Sequence, residues 1–240
     1  MKTIYFLTLS VLLFFITQSK AQNLHNLLNT ASGVLNKSSL SNDEIIKGLK
    51  EALNVGTNIS VTSASKTDGF YRNTAIKVLF PPEAQEMERK LRSIGMGTQC
   101  DKFIETLNRS AEEASKTAAT IFIDAITGLT ISDGLNILKG ADNSATLYLQ
   151  SNTTSKLKAT FSPIVRAAMS KVQLTKYWEP LANKYNKIPF IRKVNPDLEA
   201  YVTEKTIEGL FKLIATEEYK IRKDPKARIN DILQKVFGAN

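Results

Sequence analysis

The 240-residue sequence contains one cysteine and one histidine. A single cysteine excludes an intramolecular disulfide framework and a cysteine-based zinc site. A single histidine excludes multi-histidine metal ligation. Any Ser/His or Cys/His nucleophile would have to use His25, which sits among Asn23, Leu24 and Asn26 in a short leading segment with little to hold an imidazole rigid. No nucleophile elbow, Walker-type loop, dinucleotide fingerprint, EF-hand loop or zincin helix occurs. With only 11 Gly and 7 Pro, and with 42% hydrophobic residues, collagen-like and disordered chains are excluded as well. No catalytic residue, metal or cofactor is therefore expected, and an enzyme is the less favoured reading.

Long apolar runs are also scarce; the one near membrane-spanning length covers residues 4–16, after Met1-Lys2. It is short for a transmembrane helix, and Ser19 and Ala21 provide the small-x-small pattern of a signal peptidase site. The expected organisation is a signal peptide over 1–21, a loosely packed segment over 22–40 and a single helical domain over 41–240. The mature protein would be periplasmic or secreted, with no transmembrane segment after cleavage. Removing 1–21 leaves 30 basic and 23 acidic residues, a net charge of +7. In that compartment Cys100 is either a small buried apolar residue or a thiol that pairs between molecules.

Helical spacing dominates the rest. Ser41-Asn42-Asp43-Glu44 has the form of a capping box, followed by Ile46, Leu49 and Leu53 at i, i+3 and i+7. Met87, Leu91 and Ile94 share a face before Gly95. Two further stripes, Ile104, Leu107, Ala111, Ala114 and Ile121, Phe122, Ala125, Ile126, Leu129, change face near Ser115, which implies a break or a bend there. Ser162-Pro163 reads as a helix start, with Ile164, Val165, Ala168, Met169 and Val172 behind it. Tyr177, Trp178, Leu181 and Tyr185 imply another helix that starts or kinks near Pro180. Ile207, Leu210, Phe211 and Ile214 fill the helical template, with Glu208–Lys212 and Glu218–Arg222 as pairs on its wet side. Asp224-Pro225 opens a last helix with Ile229, Ile232, Leu233 and Val236. Residues 67–82 resist helix: Thr67-Asp68-Gly69 is turn chemistry, and 75–80 is rich in β-branched and aromatic residues. The expected fold is all-α, a compact multi-helix bundle, with one short strand or hairpin, or an extended loop, near 70–80.

Several of these segments together resemble an uncharacterised Gram-negative bacterial family, domain of unknown function 4197. The resemblance rests on Lys66-Thr67-Asp68-Gly69-Phe70, Ala75-Ile76-Lys77, Asn108-Arg109-Ser110-Ala111-Glu112 and Phe122-Ile123-Asp124-Ala125-Ile126. It continues through Ile137-Leu138-Lys139-Gly140, the run from Asp197 to Thr203 and the closing residues 221–238, so it covers roughly 40–238. It implies an exported, mainly helical domain and supplies no reaction or ligand.

Two features carry chemical interest. Glu105, Arg109 and Glu112 share a helix face, either as a carboxylate pair held by an arginine or as a solvated face with an ion pair. A metal held by Glu105, Glu112 and Asp124 would lack the histidines such bundle sites use. The second feature is charge: residues 144–193 hold nine basic side chains against the lone acid Glu179, while the rest of the mature chain is nearly neutral. On a helix through Lys176, that residue, Lys184 and Lys187 fall within about 80° of one another. With Arg192 and Lys193 they are the candidate anion-binding residues, interleaved with Tyr177, Trp178, Tyr185 and Phe190. The partners this pattern fits are an anionic lipid, lipopolysaccharide or an acidic protein; nucleic acid is excluded by export. Alternatively, the aromatics are core and the lysines only solubilise it. The resulting expectation is a non-enzymatic binding protein of the cell envelope, against a carboxylate-dependent hydrolase acting on envelope material or a carrier of a small apolar ligand. The signal-peptide reading predicts that mass spectrometry of the exported protein finds Gln22 at its N-terminus; retention of residues 1–21 would contradict it.

Overall fold

A computed structural model describes residues 41–171, 178, 182–183, 186–187, 189–191, 193–195, 197–228, 234 and 236–237. The expectations for the apolar run over 4–16, for His25 and the 22–40 segment, for Val172, Lys176, Tyr177, Pro180, Leu181, Lys184, Tyr185 and Arg192, and for Ile229, Ile232 and Leu233 of the last helix lie outside the described residues. The chain divides into Met1–Asp43 and Glu44–Asn240, and all but three of the described residues belong to the second unit.

The described elements are helical: α1 (Asn42–Ser65), α2 (Gln85–Ser93), α3 (Gly97–Ser115), α4 (Ala118–Thr127), α5 (Ile131–Lys139), α6 (Ser144–Ser170) and α7 (Leu198–Lys223), with short 3-10 turns at Pro82–Ala84 and Pro225–Ala227. The all-α expectation holds. Helix α1 begins directly after Ser41 and buries Ile46, Leu49, Ala52, Leu53, Thr57, Val61 and Ala64, the stripe its periodicity lays down. Gly95, at φ +85°, closes α2 in the left-handed region that favours glycine. The change of face near Ser115 is a true break between α3 and α4.

Helix α6 is central. It buries Ala145, Leu149, Thr153, Leu157, Phe161, Val165 and Met169, a strict four-residue spacing. Each step of four advances about 40° around the axis, so the stripe winds through roughly 240° over this length. That winding lets one helix pack in turn against α3, α4, α5 and α7. It also overrides the Ser162-Pro163 signal, since α6 continues through Pro163 rather than starting there. An interior proline costs about 3 kcal/mol. Burying Val165 and Met169 beyond it returns about 1.5–3 kcal/mol each, and Pro163 itself faces solvent.

Two side-chain expectations need correction. Glu208 pairs with Lys205 (2.6 Å), and Lys212 instead donates to the Ala75 carbonyl (3.0 Å). Glu218–Arg222 forms as an i, i+4 pair, but it is buried, with side chains only 7% and 10% exposed. The Glu218 carboxylate accepts from the backbone N–H groups of Ala145 (2.9 Å) and Thr146 (2.8 Å) and from the Thr146 hydroxyl (2.7 Å). It thereby caps the first turn of α6, whose free N–H groups and dipole favour an anion. Arg222 donates to Glu218 and, at 2.9 Å, to the Ile137 carbonyl at the end of α5. One ion pair on α7 thus holds both ends of the α5–α6 connection. Replacing Glu218 by Ala leaves the buried Arg222 charge without its counter-ion, bonded only to the α5 carbonyls, and two helix N–H groups without partners, and should cost about 3–5 kcal/mol in urea unfolding; a loss below about 1 kcal/mol would contradict this role.

Candidate functional site

No strand forms over residues 66–81 among the described residues; the segment lies over the core as an extended loop held by α3. Lys66 to Gly69 form a tight turn, with Asp68 at φ +66° and the Gly69 N–H bonded to the Lys66 carbonyl (2.9 Å). A Cβ on Gly69 would lie 2.3 Å from the Ser63 carbonyl oxygen and 2.5 Å from that of Ala64, so the close approach admits only glycine. Phe70 then enters the core fully buried, over Gly209. Farther along, the Asn108 side chain stands in for a neighbouring strand. Its Oδ1 accepts from the Val78 N–H (2.8 Å) and its Nδ2 donates to the Val78 carbonyl (2.7 Å). Ile76 and Val78 are buried as a strand's residues would be, but the Val78 backbone pairs with an amide side chain and the Ile76 N–H with the Asn73 carbonyl (3.1 Å).

The carboxylate–arginine group is part of the same clamp. Arg109 donates to Glu112 (2.8 Å), Asp68 (2.8 Å) and Glu105 (3.3 Å). These contacts, the Glu112 hydrogen bond above all, raise its pKa. Glu112 is not on a solvated face: it is 5% exposed as a side chain, because the 66–72 turn comes down on it. Its Oε1 accepts the N–H groups of Phe70 (3.1 Å) and Tyr71 (3.2 Å), and Oε2 takes Arg109. Both oxygens are committed to fixing the loop. Asp124, on α4, pairs instead with Lys156 (2.7 Å). Among the described residues no group of three His, Cys, Asp or Glu is placed to hold a metal ion.

The basic span behaves unevenly. Lys156 is paired with Asp124, Lys158 with Glu204 (3.0 Å) and Arg166 with Glu199 (2.5 Å). Ser162 also bonds Glu199. Arg166, first, and Ser162 hold the Glu199 carboxyl below its usual range against the opposing effect of burial. Trp178 is core: it is 4% exposed and stacks on Phe103 with centroids 5.3 Å apart, beside Phe80. Cys100 lies buried in the same region, where burial pushes its thiol up.

Lys171, Lys187 and Lys193 are exposed and form no ion pair among the described residues. Two of these, with Phe190, belong to a loop whose ends are joined. The Asn186 Nδ2 donates to the Val194 carbonyl (2.6 Å) and its Oδ1 accepts the Val194 N–H (2.6 Å). Val194 is 2% exposed and anchors the loop to the core, whereas Phe190 is fully exposed at 107%, with φ +62°. Lys187 and Lys193 stand three residues to either side of it. The sequence pattern marks Phe190, Lys187 and Lys193 as part of the basic, aromatic-interleaved span but not the Asn186–Val194 closure, whose only signal is an asparagine eight positions from the loop's other end.

The fold and the clamp define a helical domain in which one long loop is fixed by a polar helix face. The chain belongs to the family described as Protein of unknown function (DUF4197), which matches residues 39–238. No curated protein and no solved structure matches it. The clamp joins two segments that are far apart in sequence, Lys66 to Phe70 and Asn108 to Glu112. Gly69→Ala should therefore cost at least about 2 kcal/mol in chemical denaturation, since either the turn or Ser63 must move; an unchanged midpoint would contradict the clamp.

Proposed function

We propose that this protein is an exported, non-enzymatic binding protein of the cell envelope that engages an anionic lipid surface through the loop over residues 186–194. One observation carries the reading: a fully exposed phenylalanine at the tip of a closed loop, flanked symmetrically by two lysines outside any described ion pair. A lone aromatic held in water by a positive-φ backbone gains about 1.5–3 kcal/mol on entering an apolar layer. Lysines beside it reach headgroup phosphates with their ammonium groups while their stems stay with the ring. Arg192 and the other basic residues of 144–193 add charge of the same sign in the sequence.

Export supports the assignment from the sequence side, through the apolar run over 4–16 and the Ser19-x-Ala21 pattern. Among the described residues no single helix is long and apolar enough to cross a membrane. The hydrolase alternative finds less support, because Glu112, the buried acid of α3, spends both oxygens on the clamp.

Co-sedimentation tests this with vesicles of phosphatidylglycerol and phosphatidylcholine, lipopolysaccharide vesicles and a salt series. Binding to anionic vesicles should weaken steeply between low and physiological salt. Phe190→Ser should lower affinity by about tenfold or more, and Lys187→Glu with Lys193→Glu by a similar factor. Equal binding to neutral vesicles, or indifference to salt and to these substitutions, would overturn the proposal.

A further inference from the structure

Helices α3 and α6 run antiparallel. Trp178, beyond the end of α6, stacks on Phe103 near the start of α3. The earlier part of α6 meets α4, the continuation of α3, through Lys156–Asp124. Between them lies an open groove of about 810 Å³, lined on the α3 side from Lys102 to Glu113 and on the α6 side from Pro163 to Lys171. Eleven helical steps separate Lys102 from Glu113, so the groove runs for about 16 Å. Its volume lies within the roughly 300–1,000 Å³ of small-molecule sites.

The lining is polarised. Pro163, Ile164, Ala167 and Ala168 form an apolar strip along α6. Facing them, Thr106 and Ser110 turn their hydroxyls to their own helix, donating to the carbonyls of Lys102 (2.8 Å) and Thr106 (2.9 Å). What these two present to the groove is chiefly carbon. The charges divide by their partners: Arg109 is spent on the clamp and Glu113 on Lys116 (2.6 Å). Lys102 and Lys171 form no ion pair among the described residues, and the antiparallel packing places both at the same end of the groove. With Arg109, Glu105 and Glu113 paired, Lys102 and Lys171 are the cations the lining leaves for an anionic head.

We infer that this groove binds a long-chain carboxylate, with its alkyl chain on the Ile164–Ala168 strip and its head at Lys102 and Lys171. An apolar strip that ends in two free cations matches an amphiphile bearing one anionic end. A headgroup alone would leave the strip wet, and a neutral amphiphile would leave the lysines without a counter-charge. The inference rests on α3 and α6, independently of the 186–194 loop.

Calorimetric titration tests it with dodecanoate below its micelle concentration, with dodecyl maltoside as the neutral amphiphile of equal chain length, and with acetate as the head alone. Dodecanoate should bind the wild-type protein at least tenfold more tightly than either control. Ala167→Trp, or Ala168→Phe should the first variant lose helical circular dichroism, should fill the strip and weaken dodecanoate at least tenfold. Lys102→Glu with Lys171→Glu should weaken dodecanoate by a similar factor without affecting dodecyl maltoside. Absence of dodecanoate binding, equal binding of acetate, or indifference to both sets of variants would overturn the inference. Vesicle binding separates the two proposals: the groove-filling variant keeps it, and wild-type protein that binds vesicles but not dodecanoate defeats the groove alone.

Discussion

The hydrogen-bonding face of α3 is the constraint on which the rest of this fold depends. A bundle of helices buries apolar stripes readily, but the non-helical residues 66–81 lie over the core and carry buried backbone groups at Phe70 and Val78 that need partners within the protein. Asn108 and Glu112 supply those groups with partners, taking both polar atoms of Val78 and the N–H groups of Phe70 and Tyr71. Arg109 then balances the buried carboxylate and ties in Asp68. Without this face, Phe70 and Val78 could enter the core only at the cost of orphaned backbone groups.

The same device recurs where helices end. Glu218 on α7 caps α6 while Arg222 reaches the carbonyl end of α5. Asn186 closes the 186–194 loop by bonding both backbone atoms of Val194. In each case one side chain on a rigid element, or next to one, replaces the backbone partner that an irregular segment lacks. Loops held this way keep a defined shape, which is what lets a residue such as Phe190 stay exposed rather than collapse onto the bundle.

Most of the helical architecture was legible in the sequence, because stripes such as Ile46–Leu49–Leu53 and Ile207–Leu210–Phe211–Ile214 report burial directly. The loop at 70–80 was legible only as a departure from helix. Its β-branched residues signal burial, and nothing local reveals that the pairing partner is an asparagine 30 residues away. Pro163 misled for a related reason: local preference marks a helix start, whereas the long winding stripe of α6 outweighs it. The burial of Glu112 and Glu218 was hidden because i, i+3 and i, i+4 charge pairs look alike on wet and dry faces. In the 186–194 loop, Phe190, Lys187 and Lys193 were visible in the sequence only as members of a longer basic span interleaved with aromatics; neither the exposure of Phe190 nor the closure that presents it was legible there.

The central functional claim is that the tip of the 186–194 loop enters an anionic lipid layer. Spin labelling at position 190, in a Cys100→Ser background, reads this most directly. With phosphatidylglycerol vesicles present, the label at 190 should become more accessible to oxygen and less accessible to a water-soluble relaxant, while a control label at exposed Ile59 keeps its solution values. A label at 190 whose accessibilities match those in vesicle-free buffer would contradict the account.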